Sequence, residues 1–414
     1  MDACESAGQP PAHRALYLRL SAMMFLQATA NAAWAAMIAK HMDDLGFSSM
    51  QIALVFLTTA LGTVISPLLV GWIADRFLAS QRFLAICHGL SALLMFAAWR
   101  QIDFEGLWWA MFCYSIVFYP TMALTNTITF YHMGDSERFG TIRVWGTIGC
   151  ICIQWTLAGY LYLWEQHAPG ASHNGDCLII AAMASLVMAL YCLTLPHTPP
   201  GHTTERPYAF LDVLRLVRSR NFGVLIGVSF AVAVALPFHY NLTLLFLTEA
   251  EPYGVGLAPS AGQLATTLGQ LAEIVTMLLL WPAIRYLGMR WTFVLGILAW
   301  PVRFGLFTLG QPLWLMVAAQ SLHGIGYTFF FAAGMVAVER MSPKGLRASA
   351  QSLLVFATYG VGMLCGHLLS GAVHGYFTLA HDAHAWEHIF MVPICPRRSN
   401  TIRVIGGYAD ALVI

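Results

Sequence analysis

One apolar stretch of this sequence carries an acid and two other polar residues on a single helical face. The stretch covers residues 263–284 and is long enough to cross a bilayer. Thr266, Gln270 and Glu273 recur at helical spacing, and Met277 extends their face. An ionised carboxylate at the centre of a membrane helix costs about 2.5–3.5 kcal/mol on insertion scales. The pattern therefore predicts that Glu273 faces protein, water or a ligand, or is protonated, and that this face borders a central cavity.

The composition is that of a helical membrane protein. Of the 414 residues, 58% are hydrophobic and only 10% are charged, whereas a soluble domain carries about 25% charged residues. The apolar runs are continuous, which excludes the alternating strands of a membrane β-barrel. The net charge of +1 argues against a nucleic-acid partner.

Eleven apolar runs predict eleven membrane spans, most of them of about 18–27 residues. They cover residues 17–38, 52–74, 83–99, 107–130, 141–163, 177–195, 222–247, 262–284, 291–309, 312–338 and 348–373. With the N-terminus inside, nearly all basic residues between the runs are cytoplasmic, and the opposite side holds only Lys40 and Arg100. The positive-inside rule thus predicts a multi-pass protein of the cell inner membrane with a cytoplasmic N-terminus.

The longest polar break divides the chain into two halves. Residues 1–195 form a predicted N-terminal bundle of six spans, and residues 222–414 form a C-terminal bundle. Between them, residues 196–221 begin Pro-rich and continue as a basic amphipathic segment, which we expect to lie on the cytoplasmic leaflet. Two such halves are the pattern of parallel repeats in transporters, so we predict an all-α fold of two six-helix bundles.

The C-terminal end departs from this pattern. His388–Pro393 looks like the start of a twelfth span, but the following tail contains Arg397, Arg398 and Arg403 and no apolar run of about 18 residues. Our hypothesis is that the reading frame changes near Pro393 or that the chain is naturally truncated, so that the twelfth helix is missing or replaced. Intact-mass measurement and nucleotide sequencing would decide between these possibilities.

A charged motif lies between the second and third spans. Gly71, Asp75 and Arg76, followed by Arg82, match G-x-x-x-D-R with a basic end. This motif resembles the loop signature of the major facilitator superfamily. There the glycine lets helices approach, and the acid interacts with a neighbouring helix end in one closed state. The alternative is an ordinary charged cytoplasmic turn.

Further strings resemble the bacterial nucleoside:proton symporters, over about residues 15–392. They are ICHGLSA (86–92), YPTMALTNTITFY (119–131), TIRVWGTIG (141–149), LTLPHTP (193–199), GQLAEI (269–274), AWPVRFGLF (299–307) and SPKGLRASAQ (342–351). Several are polar strings within membrane spans or loops, which an apolar composition alone does not produce.

The resemblance implies a substrate site between the two halves. The implied contacts are Arg143 and Thr147 in span five, Tyr240 and Asn241 in span seven, Gln270 and Glu273 in span eight, and Tyr327 and Thr328 in span ten. Two spans depart from the family pattern. In span seven, the amide side chains of the family are not cleanly reproduced around residues 237–241, and in span ten Thr328 takes the place of the family's acid. A nucleoside needs hydrogen bonds for its hydroxyls and base edges and an aromatic ring for stacking, which these side chains offer.

Each of the main candidates also has a structural alternative. Arg143 could extend its guanidinium to the membrane surface, and Gln270 could bond only to a neighbouring helix. Glu273 could form an interhelical hydrogen bond. Tyr327 precedes three phenylalanines at 329–331 and could equally belong to the core.

Arg303 and His323 form a second candidate group. They resemble the span-nine Arg and the span-ten His of the proton relay in the related lactose-permease type of symporter. That relay also contains a Glu, and this sequence has Gly326 at the corresponding position. The alternatives are an Arg that reaches the outer surface and a hydrogen-bonded core histidine. The later histidines lack tetrahedral ligand spacing, so we expect solvated loop residues and no metal site.

These features predict a secondary active transporter that imports nucleosides with protons by alternating access. Glu273, Arg303 and His323 are the predicted coupling residues, the proton gradient is the only energy source, and we expect a monomer without a cofactor. One alternative is a sugar or glycoside symporter, because R-x-W-G-x-x-G in span five is also lactose-permease-like. A non-transporting membrane sensor or scaffold is another. An enzyme is not expected, since HExxH, GxSxG and paired intramembrane acids are absent from the sequence.

Overall fold

The computed structural model describes residues 11–69, 78–133, 136–168, 170–199, 216–343, 346–380 and 383–394. Helices make up almost all of this part of the chain. It contains no strand beyond one isolated antiparallel bridge between Thr378 and His384. The predicted all-α membrane fold is therefore confirmed.

The helices follow the predicted spans. In the first half they are α1 (Pro11–Ala35), α2 (Ile38–Asp44), α3 (Ser49–Leu69), α4 (Ser80–Trp99), α5 (Phe104–Met133), α6 (Ser136–His167) and α7 (Asp176–Cys192). In the second half they are α8 (Arg220–Thr248), α9 (Pro259–Tyr286), α10 (Gly288–Phe307), α11 (Leu313–Met341), α12 (347–376) and α13 (Trp386–Met391). Nine of the described helices are long and apolar enough to cross a membrane. The two predicted spans outside this set are α7, which has 17 residues, and α10, which carries two arginines.

Two long helices of the second half contain wider, π-helical turns. One lies at Tyr327–Ala332 within α11, and the other lies at Phe356–Gly362 within α12. A π-helical turn shifts the register of all side chains beyond it, and such turns are frequent at functional sites. The faces of α11 and α12 therefore cannot be read from a regular helical repeat.

Three sequence predictions lie outside the described residues. They concern the loop motif Gly71, Asp75 and Arg76, residues 200–215 of the linker, and the tail at 395–414. Within the described part, the predicted twelfth span is represented by the six-residue helix α13.

The hydrophobic core is shared by both halves at one end of the molecule and divided at the other. One large cluster joins residues such as Trp34 and Phe56 of the first half to Phe246 and Trp300 of the second. Toward the opposite end there are two separate clusters. One is formed by α1, α4, α5, α6 and α7, and the other contains Phe222 and residues of α11 and α12. The halves are therefore packed together at one end only, which we call the closed end.

Hydrogen bonds and close contacts join the two halves toward the closed end. The Glu165 carboxylate at the end of α6 accepts hydrogen bonds from the backbone N–H of Ser260 (3.0 Å) and from its hydroxyl (2.5 Å), at the start of α9. Further along this pair of helices, Trp155 donates to the Thr267 hydroxyl (3.0 Å). On the other side of the molecule, α12 packs against α3, where the Phe56 ring stacks on a histidine of α12 at 5.9 Å.

Glycine sets the separation of α9 and α11. A Cβ at Gly324 would collide with the Glu273 backbone nitrogen and would lie 2.8 Å from the Ala272 Cβ. The missing side chain therefore lets α11 pass directly beside the segment that carries Glu273, and this contact holds the acid at its depth in the bundle.

We expect Gly324→Ala to lower thermal stability in detergent, because the added methyl forces the two helices apart. Overpacking of this kind costs about 1–3 kcal/mol. The matched control is Gly227→Ala on α8, where a Cβ meets nothing within 4 Å and alanine favours the helix. Equal melting temperatures for the two variants would show that the stability of the protein does not depend on the close packing of α9 and α11 at Gly324.

Candidate functional site

The acid of α9 lies on a partly open face of its helix. Thr266, Gln270 and Glu273 are half-buried, and Met277, further from the closed end, is 36% exposed. Among the described residues, the Glu273 carboxylate forms no hydrogen bond and no salt bridge. Glu273 is thus not bonded to a neighbouring helix, and its charged group remains available.

Arg143 of α6 lies opposite this acid. Its side chain is exposed, and it is the charged group whose electrostatic interaction reaches Glu273. The two groups carry opposite charges and come from different halves, yet they do not form a salt bridge with each other. Thr147, one turn further along α6, is half-buried. The guanidinium and the carboxyl group thus come from opposite halves, and each keeps its hydrogen-bonding capacity for a polar molecule.

Two tyrosines of the second half border the same space. Tyr240 of α8 and Tyr327 of α11 lie deep in the protein but retain solvent-accessible surface, so they face an internal space. Both interact electrostatically with Glu273, and Tyr327 also interacts with Arg143. Electrostatic interactions therefore connect predicted residues of α6, α8, α9 and α11 from both halves.

Gln270 adds an available acceptor beside this space. Its side-chain oxygen is buried and has no hydrogen-bond partner within the described residues. A buried amide oxygen without a partner costs about 1–3 kcal/mol, which a hydrogen-bond donor from a ligand or water would offset. An interhelical bond, the structural alternative for Gln270, is not formed by this atom.

Asn241 and Thr328 are buried and form hydrogen bonds to neighbouring helices. Asn241 is 1% exposed; its amide nitrogen donates to the Ser370 hydroxyl (2.9 Å), and its oxygen lies 3.1 Å from a ring nitrogen of His367. Thr328 is fully buried and accepts a hydrogen bond from the Thr276 hydroxyl (2.9 Å). Their polar groups link α8 to α12 and α9 to α11, and we leave both residues out of the proposed site.

A comparison with known proteins places this arrangement in a family. The sequence profile described as Nucleoside H+ symporter matches residues 15–398. The chain belongs to the nucleoside H+ symporter family. It is 34% identical over 364 residues to the protein named putative nucleoside transporter YegT of Escherichia coli, covering 86% of this chain and 84% of that protein.

Solved structures show the same fold. A crystal structure of a variant of the nucleoside transporter NupG superposes with a TM-score of 0.81 at 26% identity, covering 92% of this chain and 96% of that chain. A bacterial homologue of the lysosomal transporter Spinster superposes with a TM-score of 0.72 at 14% identity, covering 96% and 95% of the two chains. This member of the nucleoside H+ symporter family is therefore a multi-pass membrane protein with the major facilitator fold, and it is not an enzyme.

The second candidate group, Arg303 and His323, lies in a buried cluster of this symporter fold. Arg303 is fully buried, donates a short hydrogen bond to the Gln320 side-chain oxygen and lies over the Phe307 ring at 5.1 Å. His323 is 5% exposed and stacks on Tyr327 at 5.9 Å. Arg303 interacts electrostatically with His323, and it does not reach the surface.

A histidine that the sequence interpretation overlooked completes this cluster. The ring centroid of His239 lies 4.6 Å from that of His323, and its Nδ1 lies 3.0 Å from the Thr243 hydroxyl. Arg303 interacts electrostatically with both histidines, and no carboxylate is bonded to it within the described residues. The cluster thus connects a buried cation, through His323 and Tyr327, to the space beside Glu273.

We expect the double variant Arg303→Met/Gln320→Leu to be at least as stable as the parent in detergent. Exchanging a buried, hydrogen-bonded charge for apolar side chains is often neutral or stabilising, whereas Arg303→Met alone leaves the Gln320 oxygen unpaired. The single variant should therefore melt lower than the double variant. A double variant that melts well below the single one would contradict this account of the pair.

Two histidines near the end of α12 differ from their predicted solvated state. His374 and His384 are 2% and 8% exposed, and their rings stack with centroids 4.0 Å apart. Glu249 at the end of α8 accepts hydrogen bonds from His384 and from Trp386 Nε1 (2.9 Å). Apolar aromatic neighbours bury these histidines, so they pack the closed end. The described residues contain no group of three or more His, Cys, Asp or Glu side chains placed to hold a metal ion.

Proposed function

We propose that this family member is a secondary active transporter that imports nucleosides together with protons. The observation that carries the proposal is the pairing of Arg143 with Glu273. The two opposite charges from the two halves face each other without a salt bridge, across a space bordered by Tyr240, Tyr327 and the free oxygen of Gln270. A ribose hydroxyl or base edge can bond to both the Arg143 guanidinium and the Glu273 carboxyl group, and a tyrosine side chain can stack on the base.

The proposed coupling depends on the protonation state of Glu273. From the outside, Glu273 takes up a proton, its neutral form permits nucleoside binding and closure, and inward opening releases both. One proton moving down about 100 mV supplies roughly 2.3 kcal/mol, which supports about a 40-fold concentration gradient of substrate. Arg303 and His323 remain proposed secondary coupling residues, because they lie next to the site through Tyr327.

The orientation of the chain in the membrane determines which side the closed end faces. The distribution of basic residues supports a cytoplasmic N-terminus, which puts the closed end outside and the divided core inside. The arrangement then corresponds to a state closed toward the outside, as alternating access requires. The site is formed within one chain, so we propose that a monomer in the cell inner membrane suffices for transport.

We expect Glu165→Ala to favour the state that is open to the outside. The variant removes the carboxylate that binds the start of α9 from the opposite half, and such charge-assisted hydrogen bonds contribute about 1.5–3 kcal/mol. A cysteine on the cavity-facing side of the closed end should then react roughly ten times faster with a membrane-impermeant maleimide. The matched control is Glu105→Ala, which removes an exposed acid at the start of α5. Unchanged labelling would show that this contact does not hold the closed end.

Uptake by proteoliposomes tests the proposed function directly. The purified protein should accumulate labelled uridine under an inwardly directed proton gradient, and a protonophore should abolish the accumulation. Unlabelled nucleosides should compete, whereas lactose and ribose should not. Competition by sugars alone would support a sugar or glycoside symporter, and the lack of any uptake would support a non-transporting sensor or scaffold.

A further inference from the structure

Three arginines lie at one end of the second half, where α9, α10 and α11 pack together. Arg285 belongs to the last turn of α9, Arg290 to the first turn of α10, and Arg340 to the last turn of α11. All three are exposed. Because α9 begins at the closed end, beside Glu165, these arginines lie at the opposite end of the molecule. In the proposed orientation that end faces the cytoplasm.

No acid balances the charge of these arginines. The chain contains no Asp or Glu between Glu273 and Glu339. Glu339 itself forms a salt bridge of 3.3 Å with Arg347. Within the described residues, no carboxylate lies within salt-bridge distance of the three arginines. The surface that they form is therefore positively charged and favours an anionic partner.

Exposed aromatic side chains are interleaved with the arginines. Trp281, Tyr286 and Trp291 are each more than half exposed. The Arg340 guanidinium lies over the Trp281 ring at 5.8 Å, and the Arg285 guanidinium lies over the Tyr286 ring at 5.7 Å. Such stacking occupies the face of a guanidinium and leaves the N–H groups at its edge free to donate. We call these six residues the arginine–aromatic patch: Trp281, Arg285, Tyr286, Arg290, Trp291 and Arg340.

The aromatic residues indicate that the patch lies at the level of the lipid headgroups. Trp and Tyr are enriched where membrane meets water, because one end of each side chain is apolar and the other is polar. Exposed apolar side chains continue from the patch along α9 and α10 toward the middle of the membrane. They are Val275, Leu278 and Leu279 on α9, and Leu295, Leu298 and Val302 on α10. A phospholipid fits both parts of this surface, whereas a free anion would contact the patch alone.

We propose that the arginine–aromatic patch binds the headgroup of an anionic phospholipid of the cytoplasmic leaflet. The acyl chains of this lipid lie along the apolar side chains of α9 and α10. The proposal goes beyond the transport function and uses only the proposed orientation in the membrane. The planar guanidinium groups donate to the phosphate oxygens, two N–H groups at a time. The bound lipid connects the ends of three helices and therefore stabilises the second half.

Thermal melting of the full chain, purified in detergent and stripped of lipid, tests the proposal. Added phosphatidylglycerol should raise the melting temperature, because a ligand that binds only the folded state stabilises it. Phosphatidylcholine should not, because the arginines repel its choline group. One arginine near an anionic lipid surface raises affinity about fivefold. The triple variant Arg285→Gln/Arg290→Gln/Arg340→Gln should therefore need about 100-fold more phosphatidylglycerol for a half-maximal rise.

The matched control removes the same charge from the first half, on the same side of the membrane. It is Arg14→Gln/Arg19→Gln/Arg82→Gln, at three exposed positions. This variant should need as much phosphatidylglycerol as the parent does. Circular dichroism verifies that both triple variants keep the helical fold. Native mass spectrometry provides a second readout: the parent and the control should each retain at least one more phosphatidylglycerol molecule than the patch variant.

Three results would overturn the proposal. One is an equal rise in melting temperature with phosphatidylcholine, and another is an equal phosphatidylglycerol requirement in the two triple variants. The third is the same rise with inorganic phosphate or glycerol phosphate alone, which would show that the arginines bind a free anion and that the acyl chains contribute nothing. None of these measurements involves nucleoside uptake, so a failure here is distinguishable from a failure of the proposed transport function.

Discussion

A Glu273→Gln variant should no longer accumulate nucleoside against a gradient, yet it should still exchange internal for external nucleoside. Glutamine has the size and hydrogen-bonding groups of a neutral glutamic acid but cannot take up or release a proton. The substrate then moves without the free energy of the proton gradient, which is about 2.3 kcal/mol per proton at 100 mV. The expected loss is the whole gradient of about 40-fold that this energy supports.

Two assays on the same proteoliposomes separate coupling from binding. Under an imposed pH gradient, uptake should stop when the internal uridine concentration equals the external one. Counterflow of labelled against unlabelled uridine should persist. Glu105→Gln, at an exposed acid at the start of α5, is the control and should behave as the parent. Undiminished uphill uptake by the Gln variant would reject the coupling role of Glu273.

The sequence predicted the charged centre of the site because its signals are local. Helical spacing puts Glu273 and Gln270 on one face, and the cost of an acid in a membrane requires that this face point inward. Arg143 was instead implied by the family resemblance that the string TIRVWGTIG carries. In the structure, Glu273 and Arg143 interact electrostatically across the two halves.

Residues whose placement depends on distant partners were less predictable. Asn241 neighbours Tyr240 in sequence, but its amide bonds to Ser370 and His367, which are more than a hundred positions away. Thr328 neighbours Tyr327, but it bonds to α9 through Thr276. Proximity along one helix does not determine which side of that helix meets a cavity and which meets another helix.

The half-buried positions of Tyr119 and Tyr359 were unpredictable for a related reason. Tyr119 lies inside a string that was recognised as family-like, yet nothing local distinguishes it from a core aromatic. Tyr359 lies inside a π-helical turn, where the regular helical repeat that sequence patterns assume does not apply. The contact between Glu165 and Ser260 was not predictable either, since it joins segments that are 95 residues apart.

Replacing Arg143 by Met should reduce nucleoside affinity by about 10- to 150-fold, since a hydrogen bond to a charged group contributes about 1.5–3 kcal/mol. Arg143 is exposed, and no described residue accepts a hydrogen bond from it, so its removal leaves no buried group unpaired and should not destabilise the fold. Arg143→Lys keeps the charge but loses the planar guanidinium that binds two acceptors at once. The nucleoside affinity of this variant should therefore lie between that of Arg143→Met and that of the parent.

Uridine binding by isothermal titration measures this loss, with Arg14→Met as the control at an exposed arginine near the start of α1. If one ligand bridges both side chains, the effects of Arg143→Met and Glu273→Met on affinity should not add, and the double variant should bind little worse than the weaker single variant. Strict additivity would mean that the two groups act on the ligand separately. Parental affinity in Arg143→Met would instead show that the guanidinium lies beside the site without touching the nucleoside, and the proposed bridge between the halves would be wrong.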